Sequence, residues 1–217
     1  ALTVPQNRRV VLTIADGTAR TPTLETLESL VMEYIDRSSF EGLISLVVTD
    51  LDTGEQLDIH PDVAYAGMSI MKIPILAATY KILDTEPFGD TALVIERTIL
   101  QSSNVNANIL LMQLGDGDME IGAEALTRDM SSLGLVNTFM AGYYDQDAIP
   151  PIIRTPANQR DDLNTDPDPF MQTTPADTAS LLTTIYQCAA HGGGTFALVF
   201  PDQITQKECQ DIIGLLS

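Results

Sequence analysis

Ala66-Gly67-Met68-Ser69-Ile70-Met71-Lys72-Ile73-Pro74 is the stretch on which the reading of this chain turns. A proline is tolerated in a helix only near its start, where the missing N–H had no partner anyway. Pro74 therefore marks a helix that begins just before it and places Ser69 at or ahead of the first turn. Residues three apart on a helix share a face, so Ser69 and Lys72 point the same way. A hydroxyl beside an amine, next to the positive end of the helix dipole, has the makings of an acyl-transfer nucleophile. The bland alternative is an N-cap serine followed by a solvated lysine, and the pair alone does not separate the two.

The bulk numbers bound the rest. A chain of 217 residues can bury a substantial core. With 30 acidic residues against 11 basic ones, its formal charge of −19 repels phosphate backbones and anionic lipid. Nucleic acid is therefore not an expected partner, and no apolar run suggests membrane insertion. No signal peptide is visible at Ala1, as expected of a mature or trimmed chain. Cys188 and Cys209 allow two free thiols or one bridge; Cys188, His191 and Cys209 resemble metal ligands but lack a fourth.

Residues 1–22 read as an appended strand (Val10 to Ile14) and a linker, and 23–217 as one domain. Helical spacing runs from Thr23 to about Asp36. Leu43 to Leu51 and Gln56 to His60 form a hairpin around Asp52-Thr53-Gly54-Glu55, with His60 a surface or capping residue. Further helices are expected from Ser69 to Leu83, Thr91 to about Gln101, Met119 to Leu133, Thr174 to Ala190 and Thr205 to Leu216, with an apolar run from Ala107 to Leu114 after a break at Ser102-Ser103-Asn104. Val136 to Gln172, crowded with Pro, Asp, Asn and Gln, reads as loop.

A second motif, Ser102-Ser103-Asn104-Val105-Asn106-Ala107-Asn108, falls between two helices. It is either a polar turn with Asn104 capping the next helix or a functional loop. In the functional reading Ser102 relays a proton, Asn104 binds a carbonyl and Asn108 pins the loop from behind. Together, Ser69-x-x-Lys72 and Ser102-x-Asn104 resemble the class A β-lactamases and penicillin-binding proteins, the S-x-x-K serine acyltransferases. The Ala107 to Leu111 continuation and the Thr173-Thr174-Pro175 helix start agree in order and spacing.

The resemblance implies an α+β, mostly helical fold with a small antiparallel sheet formed by the N-terminal hairpin. It implies Ser69 as nucleophile, Lys72 as proton acceptor, Ser102 as shuttle and Asn104 as substrate ligand, with no metal or cofactor. The expected substrate is a small-molecule β-lactam or a peptidoglycan-type D-alanyl peptide, met outside the cytoplasm. Two departures stand out. Between Glu124 and Glu208 there is no glutamate to activate a deacylating water, which leaves Asp161 or Asp162 as the nearest imitation and predicts slow deacylation. The family's K-T-G strand is also absent, so the last sheet strands are expected to be missing or supplied by another chain. The rival reading is a non-catalytic cell-wall-binding module that keeps the fold.

Overall fold

The computed structural model describes residues 22–83, 85–163 and 165–217, and forms two compact units that divide between Asp62 and Val63. The strand candidate Val10 to Ile14 and most of the 1–22 linker lie outside the described residues. Among the described residues, no helix is long and apolar enough to cross a membrane.

The first unit holds helix α1 (Pro22–Arg37) and the hairpin of β1 (Leu46–Thr49) and β2 (Gln56–Ile59). Leu46 faces Ile59 and Thr49 faces Gln56 in antiparallel register. The turn closes because Asp50 Oδ1 accepts the N–H groups of Asp52 and Thr53, both at 2.9 Å. Gly54 takes the left-handed conformation (φ 76°) that such a turn requires. His60 caps the hairpin, its Nδ1 2.9 Å from the carbonyl of Ile44.

The second unit is a helical body built around α2 (Lys72–Ile82). Pro74, Ile75, Leu76, Ala77, Ala78, Thr79 and Tyr80 are all buried, so this helix is covered on nearly every side. Against it pack α3 (Gly89–Leu100), α4 (Asn104–Leu114), α5 (Met119–Ser132) and, at the far end, α8 (Gln206–Leu216). The core they share includes Ile95, Leu110, Leu111, Leu126, Met130 and Ile212. Where α5 crosses α4, a Cβ on Gly122 would sit 1.9 Å from the Leu111 carbonyl oxygen, so only glycine permits the approach. α6 (Pro175–His191) starts on a Thr174 cap with proline in its first turn and stops at Gly192 (φ 66°). Its Cys188 is bridged to Cys209 of α8, which removes both thiols from the metal-ligand reading.

The segment read as loop from Val136 to Gln172 holds more structure than expected. β4 (Phe139–Met140) and β5 (Met171–Thr173) lie in it and join β3 (Tyr65–Ala66) in a second antiparallel sheet of order β3-β5-β4. Strands of two or three residues are too short to show a period of two, which is why their alternation is invisible in the sequence. After Gly194 the chain forms a further short helix, α7 (Thr195–Val199). Gln172, fully buried in β5, fastens the intervening chain: its amide donates to the Asn137 carbonyl at 2.9 Å and to Thr155 at 3.0 Å, and its Oε1 accepts from Asn158 at 3.0 Å.

Candidate active site

β3 delivers the chain straight into a 3₁₀ turn, Met68–Met71, which runs on into α2. Residues i and i+3 eclipse in such a turn, so Ser69 is set directly over Lys72, the first residue of α2. Ser69 is exposed and Lys72 is only 2% exposed, so a hydroxyl at the surface stands over a sunken amine. Lys72 Nζ donates to Ser69 Oγ at 3.0 Å and to Asn104 Oδ1 at 2.9 Å.

The second motif arrives from the other side. Ser103, rather than Asn104, caps α4, accepting from the backbone N–H of Asn106 at 3.3 Å and from its side chain at 2.8 Å. That leaves the Asn104 side chain to turn toward Lys72. Ser102, with φ 50°, sits in left-handed backbone that a residue with a Cβ enters at a cost of about 1–3 kcal/mol. From there its Oγ donates to Ser69 Oγ at 2.9 Å. Ser69, Lys72, Ser102 and Asn104 thus converge on one oxygen and one amine.

Asn108 lies one turn further along α4, on the same face as Asn104, and holds the backbone of the segment around Tyr144. Its Nδ2 donates to the Tyr144 carbonyl and its Oδ1 accepts the Tyr144 N–H, both at 2.9 Å. Two residues of that segment enter the site without having been singled out in the sequence. Tyr144 is buried, places its ring 4.4 Å from Lys72 Nζ and donates its hydroxyl to the carbonyl of Met68 at 2.8 Å. Asp145 presents both carboxylate oxygens to Asn104 Nδ2, each at 3.4 Å. The only sequence cue to them is a pair of adjacent tyrosines, Tyr143-Tyr144, in an otherwise polar, acidic stretch.

Asp161 and Asp162 are not brought to the cluster by any hydrogen bond among the described residues. Asp162 is exposed and gripped by Arg160 at 2.9 and 2.6 Å; that hydrogen bonding drops its carboxyl to about 2, which makes it a poor proton acceptor.

Burial pushes the Lys72 amine below its ordinary value, and the Asp145 charge pushes it back up. The resting site therefore balances desolvation, which favours a neutral amine, against one carboxylate, which favours the ammonium. A neutral Lys72 would turn a lone pair toward the Ser69 proton, whereas the ammonium can only donate. The arrangement can activate a hydroxyl once that balance tips.

With this geometry in hand, the comparisons with known proteins are specific. A model described as the β-lactamase enzyme family matches residues 26–91, a span that contains Ser69 and Lys72. No curated protein matches by sequence. Among solved structures, an ancestral class A β-lactamase is 22% identical with a TM-score of 0.57, covering 88% of this chain and 70% of its own. A β-lactamase from Streptosporangium roseum is 18% identical with a TM-score of 0.54, covering 89% of this chain and 67% of its own. The chain has a β-lactamase-like fold, α+β and mostly helical with small antiparallel sheets. It spans about two thirds of the length of the structures it matches.

Proposed function

We propose that this chain carries the acylating half of a serine hydrolase site that reacts with β-lactams or D-alanyl peptides. The observation that supports this reading most is that Lys72 Nζ and Ser102 Oγ both meet Ser69 Oγ, at 3.0 and 2.9 Å. Ser69 Oγ attacks the carbonyl carbon, and neutral Lys72 takes its proton as the C–O bond forms. The C–N bond then breaks, and Ser102 passes a proton to the departing nitrogen. Asn104 hydrogen-bonds the substrate's side-chain amide while keeping Lys72 aimed at Ser69. The Ser69 backbone N–H lies in the first turn, where no intrahelical acceptor exists, and offers one donor to the oxyanion.

Deacylation is the weaker step. No glutamate is available in the segment, Asp162 is held by Arg160, and Asp145 is engaged with Asn104. The expected setting is extracytoplasmic, where such substrates are met. Incubation with a fluorescent penicillin and intact-mass detection tests the proposal. A single adduct that disappears in Ser69→Ala supports it. No adduct on wild-type protein refutes it and leaves a non-catalytic binding module.

A further inference from the structure

We infer that Tyr144 sets the lifetime of the acyl-enzyme by closing one flank of Ser69 to water. This rests on the acyl-enzyme reading above. Tyr144 is 5% exposed, and its ring reaches from Lys72 Nζ, at 4.4 Å, to the carbonyl of Met68, which its hydroxyl meets at 2.8 Å. Both of those groups are immediate neighbours of Ser69, one in space and one in sequence. A buried aromatic ring therefore lies along the side of the nucleophile that the Lys72 amine also occupies.

The donors and the backbone carbonyl of Tyr144 are all committed elsewhere, and its hydroxyl oxygen lies at the Met68 end of the ring. Its hydroxyl proton goes to Met68, its N–H to Asn108 Oδ1 and its carbonyl to Asn108 Nδ2. What remains to face the site is hydrocarbon. A water held ready for attack needs two to four polar partners, and this face supplies none. Hydrolysis requires that a water oxygen bond to the acyl carbon while the Ser69 Oγ–acyl bond breaks and Oγ recovers a proton. The base that takes the water's proton must stand within one water of the ester. Asp145, the adjoining carboxylate, is tied to the Asn104 amide, and the Tyr144 ring offers no second anchor beside it.

The same tyrosine acts on acylation in the opposite sense. Met68 holds left-handed backbone (φ 43°), and the Tyr144 hydroxyl fixes its carbonyl. The turn that aims Ser69 is thereby kept in a conformation it would leave if released. Tyr144 is thus a positioning residue that favours formation of the ester and disfavours its hydrolysis.

The experiment loads the chain with a fluorescent penicillin, removes the excess, and follows formation and decay of the adduct by intact mass. Tyr144→Phe keeps the ring and loses the Met68 bond: acylation slows, and the adduct lifetime stays within about twofold. Tyr144→Ser opens the flank: the lifetime shortens by roughly tenfold or more, with no gain in acylation rate. Asn108→Ala frees the backbone on both sides of the ring and shortens the lifetime in the same direction without touching Tyr144; it carries the test if Tyr144→Ser fails to fold. General damage slows both steps, so faster decay alone is a signature that a merely structural role does not produce. A folded Tyr144→Ser adduct, or an Asn108→Ala adduct, that decays no faster than wild type overturns the inference while leaving the acyl-enzyme reading intact. Failure of the wild-type chain to form any adduct removes both.

Discussion

Asn104 and Asp145 face each other across 3.4 Å, and the same Asn104 side chain holds Lys72 at 2.9 Å. One amide therefore links the candidate base to a carboxylate whose charge acts on it. Burial lowers the Lys72 amine and Asp145 raises it, so the pH at which Lys72 becomes neutral lies below the ordinary lysine value of 10.5 but above where burial alone would put it. In the proposed mechanism acylation uses the neutral amine, so its rate should rise with pH and level off above the Lys72 value. Asp145→Asn removes the upward push and moves the rising limb to lower pH, which makes acylation faster near pH 7. A pH profile of the acylation rate for both proteins checks this. A limb that stays in place, or moves to higher pH, refutes the coupling.

Ser102 combines a strained backbone with a reactive side chain, and the two can be separated. Ser102→Gly adopts φ 50° freely and should stabilise the fold by a few tenths to about 1 kcal/mol. It also removes the hydroxyl that meets Ser69 at 2.9 Å, and acylation should fall by about 10²-fold or more. Thermal melting and adduct formation on one sample give both readouts. A variant that is less stable, or equally active, contradicts the assignment.

How much of this was legible in the sequence follows from the kind of signal each element leaves. Ser69 and Lys72 were readable because Pro74 fixes the helix start, and Ser102 and Asn104 because they stand at a break between two apolar helical runs. Most of the longer helices carry a 3.6-residue pattern, the central α2 being apolar nearly all round, and their limits fall within a few residues of expectation. Tyr144 and Asp145 left no such mark. They are held at the site by non-local contacts, among them the grip of Asn108 on the Tyr144 backbone from thirty-six residues away, which leave no local period. Asp161 and Asp162 looked suitable by composition, but local pairing with Arg160 consumes one of them.

The disulfide joins α6 to α8 across a sequence separation of 21. In the chain-entropy account, opening a loop of that size costs about 3 kcal/mol. Cys188→Ser/Cys209→Ser should therefore unfold at markedly lower urea, and reducing agent should lower the wild-type midpoint by a similar amount. A pair of serines with the wild-type midpoint would show that the α6–α8 packing suffices alone.

The Lys81–Asp129 pair joins α2 to α5 at 2.6 Å, with side chains only 16% and 13% exposed. Phe200 supports the ammonium from 4.7 Å. Lys81→Met strands the Asp129 carboxylate in a mostly dry place and should cost about 2 kcal/mol, the solvent that remains reducing the penalty of a fully buried pair. Removing both charges in Lys81→Met/Asp129→Leu should recover much of that loss. Urea unfolding of the two variants decides it: a double variant no more stable than Lys81→Met would mean the pair is worth more than its desolvation.

Asp177 supplies a test of buried charge away from the site. It is 7% exposed; its Oδ2 accepts the Asn137 N–H and the Thr138 hydroxyl, both at 2.9 Å. Burial raises its carboxyl above the usual 3.8, and these hydrogen bonds only partly oppose the rise. The folded protein thus holds this proton more tightly than the unfolded chain does. The associated stability is full below about pH 3.8 and is lost as pH climbs through the higher folded value. Asp177→Asn cannot titrate, so its stability relative to wild type should improve with rising pH across that window and then level off. Urea midpoints of the two proteins at several pH values between 4 and 7 measure this difference, with the many other carboxylates cancelling in the comparison. A difference that is constant, or that runs the other way, would mean the Asn137 and Thr138 bonds outweigh burial and hold Asp177 as an anion.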